Sequence, residues 1–280
     1  MNFVVGVVGW DRDYSDRCLE VGIEEGVPVA VVSQGSPMVY TPRLKAAGVK
    51  VIHVGSTVRH VRKAEDAGVD AVIVSGTEGG GHSGFDQMTT LCLVPQATDA
   101  VKIPVIAGGG IVDARGLVAA LALGAVGVYM GTRFMATEEC PTHPNVKQAI
   151  LGAMDTSTMA IRHGRPASRK DDPTGDRGLL EERRGSIRLQ LNDFAREVIA
   201  AQGGTVSFEE VNAATGSPEE NPESNRTIAA FVNGNLERNT ITASQGSGLI
   251  HDVPTCLGLI DRMIADAKPI LEKLSTSYSS

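Results

Sequence analysis

VDAVIVSGTEGGGHSG (residues 69–84) and IPVIAGGGIVDARGLVAALALGAVGVYMGTRF (residues 103–134) decide the fold. They contain three apolar runs, at 72–74, 104–107 and 126–130, each leading into glycine. A strand with one wet face alternates apolar and polar residues, whereas these runs are almost continuously apolar. That pattern suits parallel strands covered on both faces. The glycines then stand at the carboxyl ends of the strands, where α/β proteins place their ligands.

Working outward, apolar runs at 3–9, 27–33 and 49–54 precede the first of these, with helical spacing between them at 13–26, 42–47 and 57–67. Six strand-then-helix units in succession require a parallel sheet with right-handed crossovers. The fold class expected is α/β, a TIM-barrel-like parallel β/α barrel of about six βα units with a small helical cap. The units alone leave an open doubly wound sheet as the alternative. Beyond residue 132 the pattern changes. The expected division is residues 1–140 for the barrel portion, 141–244 for a mostly helical cap and 245–280 for a final helix returning to the barrel. In that last segment Leu257, Ile260, Ile264, Ala267 and Leu271 recur at helical spacing, which predicts a helix packed on the main body.

Composition narrows the function. Apolar residues make up 42% of 280 residues, enough for a sizeable core. With 26 Lys+Arg against 33 Asp+Glu there is no basic excess, so a small molecule is expected rather than nucleic acid. Cys18, Cys92, Cys140 and Cys256 are scattered without metal-ligand spacing, so no metal site is expected. The start MNFVVGVVGWDRD lacks the pattern of a signal peptide, and no apolar run approaches the ~18 residues of a membrane helix. A soluble cytoplasmic protein is the expectation.

The chemistry lies in the glycine clusters. Gly108, Gly109 and Gly110 follow a strand and precede a helix, so backbone N–H groups there can meet an anion without side-chain obstruction. Gly131 and Thr132 end the next strand and add amide and hydroxyl donors. Two neighbouring strand ends of this kind form the phosphate sites of β/α barrels. The third cluster, residues 78–84, places His82 among glycines, and its imidazole is the one side chain there that titrates near neutrality. Glycines alone also make tight turns, and a lone loop histidine is more often a surface residue. It is the recurrence of glycine at successive strand ends that points to a site.

GTEGGGHSG, IPVIAGGGIVDARGLVAALALGAVGVYMGTRFMATEEC and SQGSGLIHDVPT together resemble the nitronate monooxygenases, once called 2-nitropropane dioxygenases. These are FMN-dependent (β/α)8-barrel enzymes that oxidise alkyl nitronates with O2 to carbonyl compounds and nitrite. The resemblance implies FMN as cofactor and His82 as catalytic base. It implies Gly80 and Gly81 beside the flavin ring, with Ser75 where many relatives carry glutamine. Gly108, Gly109 and Gly110 match its first phosphate loop, and Tyr129, Met130, Gly131 and Thr132 its second. There are departures: the first strand here matches the family's third, and Gly6 stands where an asparagine is often found. The phosphate anchor is thus complete and the ring pocket is not, and a homo-oligomer is one expected way of completing it.

Two rival readings remain open. One is an FMN-dependent enoyl or CoA-linked reductase or dehydrogenase of the same family; the other is a non-catalytic flavin- or phosphate-binding module. A barrel using a cysteine nucleophile, as in inosine monophosphate dehydrogenase, is disfavoured because none of the four cysteines sits in a glycine-serine loop. The basic interval from Arg162 through Arg165, Arg169, Lys170, Arg177 and Arg183 to Arg184 reads as a solvated charged face before it reads as a grip for an anionic substrate.

Overall fold

The computed structural model describes residues 2–6, 12–33, 35–84, 86–164, 184–193, 195–196, 200, 205–207, 226–237, 239 and 241–277. In chain order the strands are β1 (Asn2–Gly6), β2 (Val29–Ser33), β3 (Lys50–Gly55), β4 (Ala71–Ser75), β5 (Gly81–Ser83), β6 (Val105–Gly108), β7 (Gly127–Tyr129), β8 (Thr158–Gly164), β9 (Arg184–Gln190) and β10 (Thr205–Ser207). The helices are α1 (Arg12–Glu24), α2 (Thr41–Ala46), α3 (Val58–Asp66), α4 (Thr90–Ala100), α5 (Ala114–Ala122), α6 (Thr132–Met135), α7 (Pro144–Leu151), α8 (Arg226–Phe231) and α9 (Cys256–Ser277). A 3₁₀ turn spans Gln245–Leu249. The chain divides into two compact units. The first comprises Met1–Gly76, Met88–Gly108 and Ala120–Tyr129, and the second Thr77–Gln87, Gly109–Ala119 and Met130–Ser280.

The first unit holds a six-stranded parallel sheet in the order β1-β2-β3-β4-β6-β7. Its strands follow one another in chain order. A doubly wound sheet reverses that order at a switch point, and this sheet has no reversal, so the winding is that of a β/α barrel. The six βα units read from the sequence are all present. The runs of β2, β3, β4 and β6 are largely buried as expected, with Ala30, Val51, Val72, Val74 and Ala107 almost fully enclosed, whereas the run at 126–130 departs from expectation: Val126 and Tyr129 are exposed and β7 is an edge strand.

Local chemistry fixes the crossovers. The Thr57 side chain caps α3 by accepting the His60 N–H at 3.2 Å. A Cβ on Gly55 would stand 3.0 Å from the His60 Cβ, so the alternate residues Val51, His53 and Gly55 face the helix layer. His53 is buried there, and among the described residues its Nδ1 has no hydrogen-bond partner. The Asp70 carboxylate accepts the Val51 N–H at 2.9 Å and the ammonium groups of Lys45 and Lys50 at 2.8 and 3.0 Å, pinning the start of β4 to β3.

The second unit departs from expectation. Residues 141–244 were expected to be mostly helical, yet the described residues include β8, β9 and β10, which join β5 in a four-stranded sheet ordered β10-β8-β9-β5. The strand signal in β9 is hidden because Ser186, Ile187, Arg188 and Leu189 are all buried, so polar residues occupy covered positions and no alternation is visible. The supposed loop around His82 is strand β5, antiparallel to β9. Most of the basic interval lies outside the described residues. An apolar cluster of Val112, Ala136, Val146, Ile150, Ala230, Ile241, Ala243 and Ile250 forms the unit's core.

Helix α9 also corrects the sequence reading. It is buried through Leu259, Met263 and Ala267, the last packed with Ala114 and Val118. Leu257, Ile260, Ile264 and Leu271, the stripe expected to pack inward, are exposed. The helix carries apolar residues on two adjacent faces, and spacing alone does not say which one meets the body.

Candidate active site

In the second unit, four segments meet: 77–84 with β5, the turn 109–112, the turn 130–132 before α6, and 242–250 with the 3₁₀ turn. Ser244 binds them. Its N–H donates to Thr132 Oγ1 at 2.9 Å, and its hydroxyl donates to the Glu78 carbonyl at 2.9 Å. The same carbonyl accepts the Gln245 N–H at 2.9 Å, while the Gly246 N–H donates to Ser244 Oγ at 3.0 Å. A Cβ on Gly110 would lie 3.0 Å from the Glu78 Cβ, and one on Gly246 would lie 2.7 Å from the Gly110 carbonyl oxygen. The glycine turn, the glutamate and the 3₁₀ turn are therefore in direct contact.

The two glycine turns differ in character. Gly109 and Gly110 have φ of 97° and 73°, in the left-handed region that disfavours other residues. Gly131 has φ −107°, and a Cβ there would meet no atom within 4 Å. Its backbone is open on the side where a side chain would stand. Thr132 is buried, and its hydroxyl oxygen is engaged by Ser244. At Gly80 the space for a side chain is filled by backbone, since a Cβ would fall 2.7 Å from the Ala243 carbonyl carbon. That contact by itself accounts for the glycine. Met130 is half-buried at the entrance to the turn.

The remaining expected site residues lie in the first unit, side by side across the sheet. Ser75 ends β4 and pairs with Gly108 in β6, which pairs with Tyr129 at the end of β7. Gly108 is buried, and its carbonyl accepts the Gly76 N–H at 3.0 Å and the Thr90 hydroxyl at 3.1 Å. It is a sheet residue, and the turn proper begins at Gly109.

His82 pairs with Ile187 across β5 and β9. Protein crowded around the imidazole displaces hydration and lowers its pKa below the ordinary 6.5, although the side chain remains exposed. It is therefore neutral at pH 7 and competent to accept a proton.

Residues 1–266 match the sequence profile described as nitronate monooxygenase. The chain belongs to the nitronate monooxygenase family. A (3aS,4S,5R,7aS)-5-hydroxy-7a-methyl-1-oxo-octahydro-1H-indene-4-carboxyl-CoA dehydrogenase of Rhodococcus jostii is 36% identical over 92% of this chain and 75% of its own length. A probable nitronate monooxygenase of Staphylococcus aureus is 40% identical over 56% of this chain and 47% of its own length. Among solved structures, FabK from Thermotoga maritima superposes with a TM-score of 0.76 and 33% identity, covering 99% of this chain and 78% of that one. The chain is an oxidoreductase with a TIM-barrel-type fold.

This nitronate monooxygenase family member also uses residues that the sequence reading passed over. Arg188, buried in β9 opposite Gly81, donates Nε–H to the Thr77 carbonyl at 2.8 Å and Nη1–H to Thr158 Oγ1 at 3.3 Å. Burial lowers its pKa and the nearby Glu78 carboxylate opposes that shift. Ser83 and Ser186 share a hydrogen bond of 2.5 Å between hydroxyls. Thus β9 holds both sides of His82. Arg133, next to Thr132, is buried and donates Nη2–H to the Asp252 carboxylate at 3.0 Å, which also takes Arg262. Ser83, Arg133, Ser244 and Asp252 lie within the three stretches that carry the family resemblance, where no role was assigned to them, and nothing in the sequence pattern singled out Arg188, Ser186 or Arg262.

Proposed function

We propose that this family member is an FMN-dependent oxidoreductase acting on a small molecule with an acidified carbon–hydrogen bond. The observation that carries the reading is the Ser244 junction, which fastens the turn at Thr132 and the histidine segment at Glu78 into one unit. The residues fit a flavin phosphate: the backbone at Gly131 is open, and Gly109 and Gly110 adopt a turn without Cβ atoms. Gly109, Gly110, Gly131 and Thr132 would hold the phosphate, with Gly80, Gly81 and Met130 of the same unit completing the cofactor contacts. Bound FMN supplies the redox capacity, which no side chain here carries. The neutral His82 takes the proton from the activated carbon.

Nitroalkanes and acyl thioesters both offer such a carbon, so the substrate class needs its own argument. Oxidation of alkyl nitronates with O2, giving carbonyl compounds and nitrite, is the reading the family supports. A dehydrogenase or reductase acting on a CoA thioester is the second, and we favour it. The carboxyl-CoA dehydrogenase relative aligns with 92% of this chain against 56% for the nitronate monooxygenase relative.

The purified protein tests both levels. It should be yellow and release FMN on denaturation; a colourless protein that takes up no FMN ends the proposal. Nitrite formed from an alkyl nitronate and O2 without nicotinamide supports nitronate oxidation. Bleaching of the flavin absorbance under anaerobic conditions by a CoA thioester, without nitrite chemistry, supports the dehydrogenase.

A further inference from the structure

Arg133 follows directly on Thr132 in the second unit, and its side chain is only 3% exposed. Its Nη2 donates to the Asp252 carboxylate at 3.0 Å, to the Asp252 carbonyl at 3.2 Å and to the Ala136 carbonyl at 3.5 Å. The enclosed Nε has no hydrogen-bond partner among the described residues. Burial lowers the pKa of this group and Asp252 opposes the shift, but a guanidinium stays charged at any ordinary pH. A full positive charge therefore lies inside the protein, two residues beyond Gly131.

The groups that could cancel this charge stand at the surface. The Asp252 side chain is 45% exposed and is shared with Arg262 of α9, itself 47% exposed, through bonds of 2.5 and 3.2 Å. Asp266, one turn further along α9 and exposed, acts on Arg262 in turn. Water screens charges at the surface, whereas a buried charge acts through protein of low dielectric. Asp252 is thus divided between two cations, and the field left in the interior is that of Arg133. Cα atoms two residues apart lie within about 7.6 Å, so this charge is on the order of 10 Å from the Gly131–Thr132 turn.

We infer that Arg133 supplies the charge that draws a phosphate dianion to the Gly131–Thr132 turn, so that the site selects a phosphorylated flavin over its unphosphorylated form. This rests on the cofactor reading above and deepens it. Gly109, Gly110, Gly131 and Thr132 offer uncharged donors, whereas a phosphate monoester carries about −1.5 to −2 at pH 7. Arg133 balances that charge from a distance.

Fluorescence titration of the stripped protein with FMN and with riboflavin tests this. The parent should bind FMN far more tightly than riboflavin. Arg133→Gln should weaken FMN about tenfold and leave riboflavin unchanged, and Arg133→Lys should recover most of the loss. Two surface changes shift the charge balance in opposite directions with the buried arginine in place, so the test stands even where Arg133→Gln fails to fold. Asp252→Asn removes the counter-charge and should tighten FMN about threefold while lowering the melting temperature. Arg262→Gln leaves Asp252 wholly to Arg133 and should weaken FMN about threefold. Equal loss of FMN and riboflavin binding in Arg133→Gln marks a packing role and overturns the inference, as does an Asp252→Asn variant that binds FMN less tightly than the parent. A parent that binds both flavins equally also overturns it, whereas a parent that takes up neither overturns the cofactor reading itself.

Discussion

The hydroxyl oxygen of Thr132 accepts the backbone N–H of Ser244 at 2.9 Å, joining the turn before α6 to the segment that carries the 3₁₀ turn. Both residues are buried. Thr132→Val keeps the shape and removes the acceptor, stranding the Ser244 N–H. A loss of about 1–3 kcal/mol in urea unfolding is expected, with Thr132→Ser close to the parent.

Two glycines of the site separate folding from ligand binding. Gly246→Ala forces a Cβ to 2.7 Å from the Gly110 carbonyl oxygen and should lower the melting temperature. Gly131→Ala meets open space at an ordinary φ, so it should melt like the parent yet bind FMN about tenfold more weakly, equivalent to about 1.4 kcal/mol. Fluorescence titration of the stripped protein with FMN reads the difference. Equal FMN affinity in Gly131→Ala and parent removes Gly131 from the phosphate site.

His82 is assigned the removal of a carbon-bound proton. Nitronates have already lost that proton, whereas neutral nitroalkanes have not. His82→Asn should therefore impair turnover of neutral nitroalkanes far more than of nitronates, and an equal effect on both sinks the base role.

Arg188 serves the histidine segment from the opposite strand. Arg188→Met leaves the Thr77 carbonyl and the Thr158 hydroxyl without their donor, at an expected cost of about 2–4 kcal/mol in chemical unfolding. Arg188→Lys should recover only part of this, since an ammonium is a single point donor and the guanidinium bridges two acceptors.

His53 makes stability pH-dependent. Burial, with the charge of His60 nearby, lowers its pKa from 6.5 to about 4. The folded state therefore prefers the neutral ring. This contribution is fully present above pH 6.5 and is lost as pH falls from 6.5 through about 4, by up to about 3 kcal/mol. Urea unfolding between pH 7 and 4 should show the decline, and His53→Leu should flatten it.

The sequence by itself determined the succession of parallel βα units; that the strands follow one another in chain order was decided by the structure. Continuous apolar runs such as 72–74 and 104–107 require covered strands, and glycine at their ends requires turns there, so the six βα units and the turns at Gly109, Gly110 and Gly131 were legible from residue type and spacing, whereas the strand carrying His82 was not. Those signals are local, since an apolar period and a missing Cβ act on the chain's own backbone. Tertiary structure decided the rest. Arg188 can occupy a buried position of β9 because the Thr77 carbonyl and the Thr158 hydroxyl, far along the chain, accept its N–H groups, and nothing within β9 announces them. Gly80 is occupied by the backbone of Ala243, more than 160 residues away in sequence. The face of α9 that meets the body was settled by Ala114 and Val118, because a helix with two apolar stripes buries whichever one its neighbours can pack against.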